Sequence, residues 1–190
     1  MTTFSIETER LLIRKLALTD AGFILQLLNE PDFHKYIGDK QVSDCESAIN
    51  YIKNGPQKMF REHGFALHLV ELKDSNSAIG ICGLLKREGL DSADLGFAFL
   101  QKYYQQGFGY ESAQAIINDH FAHVKKGVMA NVTAKDNNPD LKILAVTSLD
   151  NAASIALLEK LGFKFKNQIL LPGYKELSNL YAITADINSI

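Results

Sequence analysis

The chain has 190 residues, 46% hydrophobic and 22% charged, with a net charge of −2, which suits one globular domain, residues 1–190, with a full-sized core. The near-neutral balance gives no general pull toward nucleic acid, so no extended reader of a phosphate backbone is expected. Two cysteines far apart in sequence, Cys45 and Cys82, give neither a disulfide framework nor metal-ligand spacing, and are expected as reduced thiols in the cytoplasm.

The N-terminal stretch carries Glu7, Glu9, Arg10, Arg14 and Lys15 and lacks the apolar segment of a signal peptide. No uncharged apolar run is long enough to span a bilayer, so no membrane partner is expected. RLLIRKL (10–16) reads as a strand. Thr19 or Asp20 can cap a first helix, in which Phe23, Ile24, Leu27 and Leu28 follow helical spacing. PDFHKYIGDK (31–40) reads as loop. Ser43 and Glu46 form a capping-box pattern, and Gly55–Pro56 should end the helix they open.

FALHLVEL (65–72), AIGICGLL (78–85) and ADLGFAFLQKYY (93–104) read as three strands joined by DSNS and REGLDS turns. That is an antiparallel meander, not a run of βαβ units. From Tyr110 the period changes: Ala113, Ile116, Ile117, His120, Phe121 and Val124 share one face of a long helix. The segment 127–140 fits a short strand, a loop or both. KILAVT (142–147) reads as a buried strand. Asp150 or Asn151 caps a helix with Ile155, Leu158 and Leu161 inward, and Gly162 stands where a helix-ending glycine belongs. FKFKNQILL (163–171) and ELSNLYAITA (176–185) are the last strands, separated by Pro172–Gly173.

The junction QKYYQQGFGYESAQ (101–114) carries the chemistry. A strand stops at Gly107-Phe108-Gly109 and a helix begins. Glycine lets the backbone approach a ligand closely, and the first N–H groups of the helix have no internal partners. They sit at the positive end of the helix dipole, where phosphate fits. A P-loop would need Lys-Ser/Thr after Gly109, where Tyr110-Glu111 stands. A dinucleotide fingerprint would need a third glycine, where Ser112 stands, and a parallel βαβ unit. The pyrophosphate of coenzyme A is the third reading; a plain β-to-α turn without ligand is the fourth.

Three stretches carry a resemblance. NAASIALLEKLGFKF (151–165) resembles the N-x-x-S-x-x-x-L-E-K-x-G-F segment of the GNAT acetyltransferase superfamily. QQGFGYESAQ (105–114) is similar to its acetyl-CoA loop, and IETERLLIRKLALTDA (6–21) resembles the opening of its RimJ/RimL-like branch. The likeness covers nearly the whole chain. It implies an α/β (α+β) GNAT fold: a mixed, mostly antiparallel sheet flanked by helices, with fourth and fifth strands splayed around the pantetheine arm of acetyl-CoA. ADLGFAFLQKYY would be the fourth strand and KILAVT the fifth. Phe97, Ala98, Phe99 and Leu100 would then offer backbone hydrogen bonds to pantetheine, and Gln105, Gln106, Gly107, Phe108, Gly109 and Tyr110 would wrap the pyrophosphate. Asn151 and Ser154 complete the cofactor contacts that the resemblance implies. Two departures stand out: Tyr104 at the first loop position, and a long 127–140 segment.

The implied reaction is direct attack of an amine on the acetyl thioester in a ternary complex, with no metal. The family's frequent base and acid positions fall on Val146 and Leu158, both aliphatic, so neither role carries over. Ser154 is the candidate for stabilising the departing thiolate. Asp94, where relatives often have Glu, is the candidate base. His68 has a suitable ordinary pKa but reads as an exposed strand histidine, and His120 as a core residue. Glu111, in the first helical turn, reads as structural. Tyr36 and Tyr174 would line the acceptor side, or equally pack. The expected acceptor is an amine of low pKa such as a protein N-terminus, for example that of a ribosomal protein. A small-molecule amine, a non-catalytic CoA sensor, or a domain binding another nucleotide are the alternatives. The sequence leaves monomer and dimer both open.

Overall fold

The structure, a computed structural model, describes residues 4–127 and 141–185. The ambiguous 127–140 segment lies outside them, apart from Gly127. Eight strands form one sheet: β1 (Ser5–Glu7), β2 (Leu11–Arg14), β3 (Leu67–Leu72), β4 (Ala78–Leu85), β5 (Ala93–Phe99), β6 (Lys142–Ser148), β7 (Lys164–Ile169) and β8 (Ser178–Thr184). Their order is β1-β2-β3-β4-β5-β6-β8-β7. Every neighbouring pair is antiparallel except β5–β6. The strands expected as fourth and fifth are thus β5 and β6, because the short β1 precedes the strand read at 10–16.

Alternation along the strands makes two apolar faces, each covered by helices. On one face α1 (Ala21–Leu28), α2 (Pro31–Tyr36) and α3 (Cys45–Ile52) pack Ile24, Leu27, Phe33 and Ile52 against Leu67, Leu69 and Ile81. On the other, α5 (Phe108–Lys125) and α6 (Ala152–Lys160) bury Phe108, Ala113, Ile116, Ile117 and Leu158 against Leu11, Ile13, Val70, Cys82 and Leu95. His120 is buried there between Phe65 and Phe121, as its apolar helix face predicts.

Several local expectations need correction. Residues 31–36 form α2 rather than loop; Pro31 sits in its first turn, where a missing N–H and a fixed φ are harmless. The cap of α3 is Asp44, not Ser43: its carboxylate accepts the Ser47 N–H at 2.7 Å, and the Ser47 hydroxyl accepts the Asp44 N–H at 3.0 Å. Gly55–Pro56 does not end that helix. A wider π-turn over Lys53–Gln57 absorbs Pro56, and the chain continues as α4 (Lys58–His63) to Gly64, whose φ of 78° is left-handed. Asp20 does stand at the N-cap position of α1, as expected, but its side chain makes no cap bond to that helix. Asp20 instead accepts the Ala17 N–H at 2.7 Å and both terminal nitrogens of Arg14.

The feature that places the site is the β5–β6 pair. It is joined only at Ala93–Ile143 and Asp94–Leu144. Beyond that, β5 runs on to Phe99 and β6 to Ser148 without pairing each other, while β6 stays bound to β8 along its length. The two strands form a fork whose base is Asp94.

Candidate active site at the strand fork

Which main-chain groups face the gap follows from one bond. The Leu100 N–H donates to the Ile79 carbonyl at 3.0 Å, just beyond the paired Phe99 and Gly80. Antiparallel pairing alternates, so Ala98 and Gly96 also turn their main chain to β4, and Leu95, Phe97 and Phe99 turn theirs toward the gap. Of the four residues expected to offer backbone to a pantetheine arm, Phe97 and Phe99 turn their main chain to the gap, whereas Ala98 and Leu100 turn theirs to β4. Leu95, which sequence reasoning did not single out, also faces the gap. The strand also stops earlier than the expected Tyr104, giving way to a 3-10 turn over Gln101–Tyr103.

Past that turn the chain alternates in hand. Gln105 has φ 59° and Gly107 φ 83°, both left-handed, a pattern that turns successive N–H groups to a common side. Among the described residues, no N–H from Gln105 to Tyr110 donates to a protein acceptor; the first to do so is that of Glu111, to the Gly107 carbonyl at 3.0 Å. The opposite side of the loop is tied down. The Arg10 guanidinium donates to the Gln106 carbonyl at 3.0 Å and lies 4.4 Å over the Phe108 ring, which is itself buried in the core. Glu111 holds Arg10 in turn, accepting from its Nε at 2.7 Å, its main-chain N–H at 3.0 Å and the Thr8 hydroxyl at 2.6 Å. Burial pushes the Glu111 carboxyl up, but these donors together hold it below the usual range. Glu111 therefore ties α5 to the β1–β2 turn. Gly109 has a packing reason to be small: a Cβ there would stand 3.2 Å from Leu157 of α6.

The α6 N-terminus follows the end of β6, and Asn151 and Ser154 lie at its start. Asn151 caps the helix, its Oδ1 accepting the Ser154 N–H at 3.0 Å. The Ser154 hydroxyl makes no hydrogen bond among the described residues and is half-buried. Helix α2 reaches both sides of the open end of the fork, near Tyr104 past β5 and near Asp150 past β6. Its Asp32 and the preceding Glu30 face the Tyr104 hydroxyl, and burial followed by these carboxylates pushes that phenol up to about 12. Lys35 reaches Asp150 at 3.7 Å and donates to the Tyr36 hydroxyl at 2.9 Å, which places Tyr36 beside the turn into α6.

At the base of the fork Asp94 is 1% exposed. Its Oδ2 accepts from Arg87 Nε at 2.7 Å, and among the described residues no donor meets its Oδ1 in good hydrogen-bond geometry. Burial pushes the carboxyl up to about 6; the Arg87 charge and the Val146 N–H offset only part of that. Arg87 also donates to the Tyr174 hydroxyl at 2.6 Å. Sequence reasoning missed Arg87, since nothing in a turn REGLDS marks one residue for a contact seven positions on.

His68 is not the exposed histidine expected. It is 3% exposed, stacked on Phe4 at 4.0 Å, and burial together with Lys15 pushes it down to about 3. It is neutral and lies on β3, two strands from the gap. Leu158 is core and Val146 packs against the cluster of Leu90, Leu144 and Leu171. Among the described residues, no group of three His, Cys, Asp or Glu could hold a metal, and no helix is long and apolar enough to cross a membrane.

Known proteins share this arrangement. The profile of the acetyltransferase (GNAT) domain matches residues 10–164. An uncharacterised N-acetyltransferase of Bacillus licheniformis, p20, is 23% identical over 158 residues, covering 82% of this chain and 88% of its own. The crystal structure of a GNAT-family acetyltransferase from Bacillus anthracis superposes with a TM-score of 0.73 at 25% identity, over 95% of this chain and 98% of that one. RimL, a ribosomal L7/L12 α-N-protein acetyltransferase solved in complex with coenzyme A, superposes with a TM-score of 0.74 at 17% identity, over 95% and 98% of the two chains. The split sheet, the glycine loop and these matches agree: the chain belongs to the GNAT acetyltransferase family.

Proposed function

We propose that this enzyme, of the RimJ/RimL-like branch, moves an acetyl group from acetyl-CoA to the α-amine of a peptide N-terminus in the cytoplasm. The observation that carries the cofactor half is the run of N–H groups from Gln105 to Tyr110 with no partner among the described residues, above a loop whose other side is tied by Arg10 and Glu111. These amides would hold the pyrophosphate. Leu95, Phe97 and Phe99 would bond the pantetheine arm as an added strand would, and Asn151 and Ser154 would border its sulfur end. Acetyl-CoA supplies the activated acyl group. The free Ser154 hydroxyl would donate to the sulfur as the thiolate leaves.

The acceptor half rests on proton arithmetic. Asp94, expected as the base, is enclosed and engaged by Arg87, so it would position Arg87 rather than touch the amine. The amine proton then leaves through water. An α-amine with a pKa of about 7.7 loses its proton at pH 7 for roughly 1 kcal/mol, whereas a lysine amine at about 10.4 needs roughly 4.6 kcal/mol. With Asp94 held by Arg87, and Glu30 and Asp32 at the Tyr104 end of the gap, the base of the fork favours the first over the second. That RimL acts on a protein N-terminus leans the same way. Tyr36 and Tyr174 would flank the incoming peptide.

Thiol release from acetyl-CoA, measured with a panel of peptides, lysine side-chain mimics and small amines, tests this. Turnover confined to α-amines is expected. Preference for lysine-type amines would refute the acceptor assignment, and no release with any amine, despite CoA binding, would favour a sensor.

A further inference from the structure

The guanidinium of Arg87 has five donors. Nε is used by buried Asp94 and one Nη1 hydrogen by Tyr174; among the described residues the rest have no partner. The Arg87 side chain is 27% exposed and Asp94 1%. Arg87 is thus fixed from behind by a hidden carboxylate and from one side by a phenol, with its remaining edge open. Lys40, in the segment after α2, stands near enough for the two charges to repel. It is exposed and makes no ion pair among the described residues. The protein around its ammonium, and then Arg87, both lower its pKa. Arg87 is backed by a buried anion, and Lys40 is close enough to feel the Arg87 charge.

Position gives the cluster meaning. Asp94 is the last β5 residue paired with β6, so the cluster marks the base of the fork. An arm laid along β5 from the glycine loop would bring its acyl end there. The far end of the gap has the opposite sign, with Glu30 and Asp32 around Tyr104. We propose that Arg87 and Lys40 form an anion-reading mouth, and that the preferred acceptor carries a carboxylate close to its reacting amine. The inference rests on the acetyl-transfer reading above. A planar guanidinium edge suits a carboxylate, and Lys40 adds a point charge beside it. The carboxylate has two sources: an acidic side chain in the first residues of a peptide, or the α-carboxylate of a free amino acid.

The test compares matched acceptors that differ by one carboxylate: amidated peptides beginning Ala-Asp or Ala-Asn, and alanine against alaninamide. Values of kcat/KM are corrected for the fraction of free amine. The acidic member of at least one pair should be preferred about tenfold or more, and Lys40→Gln should reduce that preference to about twofold or less. The pair that discriminates identifies the source. The same ratio is read by calorimetry as binding of the N-acetylated compounds to CoA-loaded protein, so the outcome does not depend on turnover. Equal kcat/KM and equal binding within both pairs, or a preference untouched by Lys40→Gln, overturns the inference. Absence of turnover with the binding ratio intact would instead count against the acetyl-transfer reading alone.

Discussion

Asp94 shows how one buried atom can set two pH dependences. Its carboxyl titrates near 6 in the folded protein and near 3.9 in the unfolded chain. A raised pKa means the folded state holds the proton more tightly. This contribution to stability is full below about pH 4 and is lost as pH rises through about 6, a change on the order of 2–3 kcal/mol. Asp94→Asn should flatten the fall in unfolding free energy between pH 4 and 6, measured by urea titration; an unchanged slope would contradict the assignment. In turnover the proton has a different effect. Below about 6 the neutral carboxyl no longer pairs with Arg87, so if Arg87 reads the acceptor as proposed, acceptor binding should weaken. For an α-amine substrate kcat/KM should fall with unit slope below about 7.7 and steepen below about 6, and the Asn variant should keep only the first slope. At Ser154, whose hydroxyl is free, Ser154→Ala should lower kcat about tenfold with the Kd for CoA within about threefold. A loss of CoA affinity instead would make Ser154 a binding residue.

At the level of elements, legibility followed the range of the interactions. Helix α6 was readable end to end because its signals are local. Asn151 caps it, and at its C-terminus the Phe163 N–H reaches the Leu158 carbonyl at 3.0 Å and the Gly162 N–H that of Glu159 at 3.0 Å. Gly162 has φ 91°, and a Cβ there would meet only Ile183 at an ordinary 3.7 Å. Gly162→Ala should therefore destabilise by about 1 kcal/mol through backbone strain alone, and Asn151→Ala by about 1 kcal/mol through the lost cap, each read as a shift in the urea midpoint. The π-turn was not readable, since a proline ordinarily ends a helix and the wider turn that takes in the buried Pro56 has no local signature. Short α2 was missed because six residues give too little periodicity, although Pro31 at its start was a usable signal. The Arg87–Asp94–Tyr174 set joins two turns and a strand start, and no local pattern announces it.

Across the whole molecule, the fork between β5 and β6 is where one continuous sheet stops pairing, and everything proposed is arranged along it. The loop of 105–110 lies at the open end, where α2 reaches both sides, the Arg87–Lys40 cluster marks the base, and α6 follows β6. Composition argued against whole classes of partner but could not have shown a fork; that came from the resemblance of three motifs to a family. Because the cofactor would bridge both strands, CoA at about 100 times its Kd should stabilise the protein by roughly 2.7 kcal/mol, while NAD and ATP at equal concentration should not. Gln105 is exposed and its side chain makes no hydrogen bond among the described residues, so Gln105→Glu offers a probe that spares the packing constraining Gly109. It should weaken CoA at least tenfold by charge repulsion without changing the melting temperature of the free protein by more than a degree or two.

The central claim is that main-chain amides of the glycine loop grip a diphosphate. A titration of the amide-labelled protein with CoA, followed by proton–nitrogen NMR, reads those groups one by one. The resonances of Gln105 to Tyr110 should shift most, those of Leu95, Phe97 and Phe99 should follow, and those of Ala98 and Leu100 should move little. Large shifts elsewhere with the loop amides unmoved would contradict the claim.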